Sequence, residues 1–155
     1  MVRALARRVG LRRSTIAALR LRTEREFWSR WPSTPDLGPR ILCYHAVGTP
    51  SWGYNDISPE RFRRHLELAL ANGHRFVPAS QIAQGEGGAQ DLAITFDDGL
   101  TSVARYAAPI MADMKVPWTM FVVTDWCSGH HDFGSGAILD WTGVQEIVAA
   151  GASVG

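Results

Sequence analysis

Cysteine is scarce. Cys43 and Cys127 are the only two thiols in 155 residues. That is too few for a disulfide scaffold, and their spacing fits no metal motif. Cys43 falls in an apolar, strand-like run, where a small buried thiol is the plain expectation. Lysine is scarcer still: Lys115 is the single lysine among 16 Lys and Arg side chains, which by itself says nothing about a site. Long apolar runs are missing too. Nothing approaches the roughly 20 residues of a spanning helix. Near the N-terminus the longest apolar run is Ile16-Ala17-Ala18-Leu19, too short for the core of a secretory signal. No export signal is visible, so the chain as encoded is expected in the cytoplasm. No charge of one sign dominates either. A formal net charge of +1 gives no ground for a nucleic-acid partner. What is present is an ordinary apolar content of 46%, which excludes wholesale disorder. The length suffices for one domain with a sizeable core.

The charge is unevenly spread. Arg3, Arg7, Arg8, Arg12, Arg13, Arg20 and Arg22 all precede the first acid, Glu24. Residues 1–36 therefore read as an arginine-rich extension, closed by the linker Pro32-Ser33-Thr34-Pro35-Asp36. Leu5, Val9, Ile16 and Leu19 fit one helical face. Such a basic amphipathic helix can contact an anionic membrane surface, and an Arg-rich, acid-poor start also resembles an organellar transit peptide. A solvated extension is the simpler account. Residues 37–155 are then the globular portion.

In that portion the pattern alternates. Ile41 to Val47 is an apolar run suited to a strand buried on both faces, with His45 near its end. Ser58 as N-cap, Pro59 in the first turn and Gly73 as stop bound a helix whose stripe is Phe62, Leu66, Ala69 and Leu70. Arg75 to Pro78 is a short strand, and Ser80 caps a helical turn. Leu92 to Phe96 is a buried strand. Val103, Tyr106, Ala107, Ile110, Met111 and Met114 recur at helical spacing, with a bend or break at Pro109. Trp118 to Thr124 suits another buried strand. A long loop carries Asp125, Trp126, His130 and His131. Thr142-x-x-Gln145 signals a last helix, stopped by Gly151, and Ala152-Ser153-Val154 begins a strand. This order indicates an α/β fold with a parallel sheet. In such folds ligands bind beyond the C-terminal ends of strands, where His45, Asp97, Asp98, Asp125 and the His130-His131 loop would lie.

Asp97 and Asp98 stand directly after the strand and before Gly99. Asp-Asp-Gly is good turn sequence in its own right. A turn needs one Asp, however, and a second like charge at the mouth of a buried strand is costly without a cation. Side chains diverge at a strand end. One carboxylate can ligate a metal while its neighbour takes a proton from water, the division of labour of a metal-assisted hydrolase. Zinc-type sites want about three protein ligands. His45, His130 and His131 are the candidates, and the last two are the weaker ones because adjacent histidines rarely both ligate.

Thr95-Phe96-Asp97-Asp98-Gly99 resembles the first signature motif of the polysaccharide deacetylase family, the nodulation-protein-B-like carbohydrate esterases. Tyr44-His45-Ala46-Val47 is similar to the family's opening strand. Ser58-Pro59-Glu60-x-Phe62 with the helix to Gly73 is similar to its next segment. Pro109, then Pro117 to Val123, and Leu139-x-Trp141 continue the resemblance, which covers about residues 40–155. It implies a distorted TIM-like (β/α) barrel, about half of it in this chain, and hydrolytic removal of N-acetyl groups from a glycan or amino sugar. It further implies Asp97 as catalytic base and Asp98 as metal ligand. The implied ion is zinc, with cobalt, nickel or manganese as alternatives. His45, Asp125 and Trp126 are expected near the site. The family's second motif, a pair of ligating histidines, is expected just after residues 151–155. The chain therefore reads as the N-terminal part of a longer deacetylase, with little activity alone.

Two competing readings remain. A magnesium-dependent phosphatase with Asp97 as nucleophile usually needs a second acid two residues on, where Gly99 stands. A catalytically dead relative would bind sugar or a partner through Trp52, Tyr54 and Trp126.

Overall fold

Asp91–Phe96 forms β5, and every one of its six residues is buried. The computed structural model describes residues 38–155, all within one compact unit, Leu37–Gly155. Expectations for the arginine-rich extension and its linker lie outside these residues. Around β5 the strands β1 (Arg40–Tyr44), β4 (Arg75–Phe76), β6 (Trp118–Met120) and β7 (Ser153–Val154) assemble in parallel, in the order β1-β5-β6-β7. Leu92 pairs with both Arg40 and Phe76, and Ile94 pairs with both Leu42 and Trp118. β4 and β6 therefore share one edge of β5, and β1 takes the other. A small parallel pair, β2 (Ala46–Val47) and β3 (Asp56–Ile57), stands apart.

Helices fill the connections. α1 (Pro59–Ala71) starts as its sequence predicts, with the Ser58 hydroxyl accepting from the Arg61 N–H at 3.3 Å. Its buried stripe is narrower than expected. Phe62 and Leu66 are fully covered, but Leu70 is 45% exposed, because this helix meets the sheet through its first two turns. α2 (Ala79–Ala83) begins after Pro78, so Ser80 lies inside the helix and does not cap it. After β5 the chain runs through a π-helical segment, Val103–Ala107, into α3 (Ala108–Met114). Pro109 lies within a continuous helical run, residues 101–114, directly after the π-helical segment, whose widened turn accommodates its missing N–H. β6 stops at Met120, short of the Thr124 expected, and α4 (Thr124–Cys127) takes up the end of that run and the start of the segment expected as loop. α5 (Trp141–Ala149) is capped by Asp140, whose carboxylate accepts from the Gly143 N–H at 2.8 Å. The cap thus falls two residues before Thr142, the residue the sequence suggested.

One face of the sheet is an aromatic core. Tyr44, Phe62, Phe96 and Trp118 meet with ring centroids 5.1–5.8 Å apart. The other face of β1 is open. Ile41 is 47% exposed and Cys43 is exposed, which corrects the expectation of a strand buried on both sides. Among the described residues β1 is a terminal strand of the sheet, and on its core face Tyr44 packs against Phe62 of α1. No helix among the described residues is long and apolar enough to cross a membrane.

Candidate active site

Asp97 leaves the end of β5 with its backbone tied to β1: its N–H donates to the Tyr44 carbonyl at 3.0 Å. Asp98 and Gly99 then both take left-handed backbone, with φ of 71° and 67°. Such a conformation costs about 1–2 kcal/mol for most residues and less for Asp, whose short polar side chain tolerates it. Glycine is needed next. A Cβ on Gly99 would sit 3.4 Å from Val122 as well as at positive φ. The turn is clamped from outside by Leu139 N–H on the Gly99 carbonyl (2.8 Å) and Thr101 N–H on Ala137 (3.0 Å).

Parallel register explains what meets Asp97. Cys43 pairs with Thr95 and Tyr44 with Phe96, and side chains alternate with period two. Cys43, His45, Thr95 and Asp97 therefore share the face opposite the aromatic core. Cys43 Sγ lies 3.3 Å from Asp97 Oδ2 and donates its proton there. His45 Nε2 lies 3.8 Å from the same oxygen, an ion pair when the ring is protonated. Partial desolvation first, and then the bond to Asp97, push the Cys43 thiol above its ordinary value. It is a neutral donor at neutral pH, not a thiolate. Tyr44, on the core face, bonds His65 Nδ1 at 3.1 Å, and burial raises its phenol.

The two carboxylates differ in company. Asp97 has a donor and an imidazole at hand. Asp98, half-buried, has no hydrogen-bond or ion-pair partner among the described residues, and it joins no group of three metal-donor side chains there. The donor group that does occur is Cys43, His45 and Asp97, whose ligand atoms all lie within 4.8 Å of one another. Cys43 was expected to be a buried structural thiol; the open face of β1 exposes it instead. The Cys43-x-His45 spacing on a strand, with both residues on one face, was the signal available in the sequence.

The remaining candidates follow β6 in the chain. Trp126 packs edge-on against Phe133 at 4.8 Å, and Phe133 also meets Trp52 (5.3 Å) and His131 (5.6 Å). His131 Nδ1 is buried with no partner. Asp125 and His130 are exposed, joined through the His130 N–H and the Asp125 carbonyl at 2.9 Å. Trp126, His131, Thr101 and Asp140 line an open cleft of about 680 Å³. Trp52 and Phe133 border a second one of about 610 Å³.

Residues 84–155 match the family model described as polysaccharide deacetylase. Among solved structures, IcaB from Ammonifex degensii is similar at 28% identity with a TM-score of 0.66, over 77% of this chain and 52% of that one. The Streptococcus pyogenes deacetylase PplD, solved with acetate, is similar at 24% and 0.62, over 78% and 56%. A de-N-acetylase from Aggregatibacter actinomycetemcomitans is similar at 18% and 0.64, over 75% and 53%; these last two likenesses concern the fold. This chain spans about half the length of each of them. Among curated proteins nothing matches. The Asp97-Asp98-Gly99 turn lies inside the matched region, and residues 84–155 of this chain are similar to the polysaccharide deacetylase family.

Proposed function

We propose that residues 37–155 form the first part of a TIM-like (β/α) barrel that removes N-acetyl groups from a glycan or amino-sugar substrate. The observation that carries this is the paired carboxylate at the end of a fully buried parallel strand, one member engaged and the other unpartnered. Asp97 acts as the base. It takes a proton from the water that adds to the acetamide carbonyl. The carbon–nitrogen bond then breaks, acetate forms and the amine leaves protonated. The Cys43 thiol, held neutral, orients Asp97 without competing for its charge.

Asp98 suits a metal as a single ligand, and no more. The residues that would complete the coordination, an oxyanion donor and a catalytic acid are not found beside it among the described residues. A divalent ion there, zinc or else cobalt, nickel or manganese, would supply Lewis acidity that lowers the pKa of water. Little turnover is expected from the 155-residue chain alone.

The Trp52, Phe133 and Trp126 cluster beside two clefts supports sugar binding, since aromatic faces pack on apolar ring surfaces. That observation also suits a binding module without turnover. Acetate release from N-acetylated amino-sugar oligomers separates the two, measured on the longest reading frame that encodes this segment. Asp97→Asn should lower release by about 10²–10⁴-fold. Unchanged release in that variant, or glycan binding with no release by the parent protein, would overturn the enzyme reading.

A further inference from the structure

We propose that Cys43, His45 and Asp97 form a thiophilic metal site of their own, suited to zinc and separate from Asp98, and that an ion held there takes Asp97 out of use as a base. The ion site follows from donor geometry; its effect on turnover rests on Asp97 being the base.

Three donors of different chemistry converge: a thiol, an imidazole and a carboxylate. Zinc takes sulfur at about 2.3 Å and nitrogen or oxygen at about 2.0–2.2 Å in a tetrahedron. Those bond lengths put neighbouring ligand atoms about 3.3–3.6 Å apart. Cys43 Sγ and Asp97 Oδ2 already stand 3.3 Å apart, and His45 Nε2 and Asp97 Oδ2 3.8 Å. The third separation, Cys43 Sγ to His45 Nε2 or Nδ1, is within 4.8 Å. Three protein ligands leave a fourth position for water, the pattern of an open zinc site. The register of β1 on β5 holds the donors on one face, and the site is reachable. Cys43 is exposed, and the His45 and Asp97 side chains are 33% and 39% exposed. Thiolate and imidazole favour zinc over magnesium or calcium, which seek oxygen. Binding displaces the thiol proton and turns the Cys43–Asp97 hydrogen bond into two bonds to one ion. The positive ion then lowers the basicity of the Asp97 carboxylate. Excess zinc becomes an inhibitor of the reaction that an ion on Asp98 would assist.

Cobalt reports on this directly, because a cobalt–thiolate bond absorbs by charge transfer in the near ultraviolet. The 155-residue chain titrated with Co²⁺ should develop that absorption at one equivalent. Cys43→Ser should abolish it and weaken binding by at least about 100-fold, since even outer partners of metal ligands are worth ~10–100-fold. Cys127→Ser and Asp98→Asn should leave it intact. Asn tolerates the left-handed backbone at that position, and matching circular dichroism confirms that each variant folds. Absence of the band in the parent chain overturns the site. So does a band that survives Cys43→Ser, or cobalt binding lost in Asp98→Asn and kept in Cys43→Ser. In any protein carrying this segment that releases acetate, excess zinc should lower release, measured against each protein's own rate without added zinc, in the parent and not in Cys43→Ser. Inhibition that survives this substitution overturns the effect on turnover. Failure to release acetate with any metal would count against the deacetylase reading alone, leaving the cobalt result standing.

Discussion

Phe96 links the core to the site, and its truncation gives a quantitative check on the fold. The side chain is completely buried, and the next residue is Asp97. It touches three rings: Tyr44 at 5.8 Å, Phe62 at 5.7 Å and Trp118 edge-on at 5.7 Å. Those partners come from β1, α1 and β6, so one side chain fastens three elements to β5. Phe96→Ala removes the transfer energy of the ring and leaves a cavity, costing about 3–5 kcal/mol. Phe96→Leu refills most of the space but forfeits the ring–ring contacts. Each is worth about 0.5–1.5 kcal/mol beyond its area, and leucine recovers part of them as ordinary contact, so about 1.5–3 kcal/mol is expected. Urea unfolding followed by far-ultraviolet circular dichroism measures both costs. In a thermal scan Ala should lower Tm by about 12–20 °C at ~4 °C per kcal/mol. A cost below about 1 kcal/mol for Ala would refute the packing described, as would equal costs for Leu and Ala.

The other predictions are local. Asp91, buried at the start of β5, accepts from the Arg75 guanidinium and from the Gly88 N–H at 2.8 Å, and these bonds hold its carboxyl below the usual value. A lowered folded pKa stabilises above the unfolded value of about 3.9 and is lost as pH falls through the folded one. Urea midpoints should therefore fall below about pH 4, and Asp91→Asn should flatten that acid limb. Gly99→Ala, at φ 67° and against Val122, should cost about 1–2 kcal/mol in urea unfolding. Asp140→Ala removes the cap of α5 and should cost about 0.5–2 kcal/mol, whereas Thr142→Ala should cost measurably less.

The sequence by itself determined the elements whose signals are local. The buried run of β5 and its Asp-Asp-Gly end depend on residues adjacent in the chain, and both appear where the pattern placed them. Ser58 and Pro59 start α1 because capping is settled within one turn. The alternation of strand and helix implied a parallel sheet, and the strands pair in parallel. Where two local signals competed, the sequence misled. Thr142-x-x-Gln145 has the form of a cap, but Asp140 reaches the free N–H groups first.

What only the tertiary structure decided is everything set by pairing between distant segments. Leu70 looked like core by helical period, and its exposure depends on where the sheet ends beneath α1. Cys43 looked buried because its neighbours are apolar, and its exposure depends on β1 being a terminal strand. Its place beside Asp97, 54 residues away in the chain, follows from the register Cys43↔Thr95. A shift of one residue would turn Cys43 and His45 away from Asp97, because side chains on a strand alternate between its two faces. Period and capping are written in neighbouring residues. Register is a property of two strands at once, and it assembles the donors around Asp97.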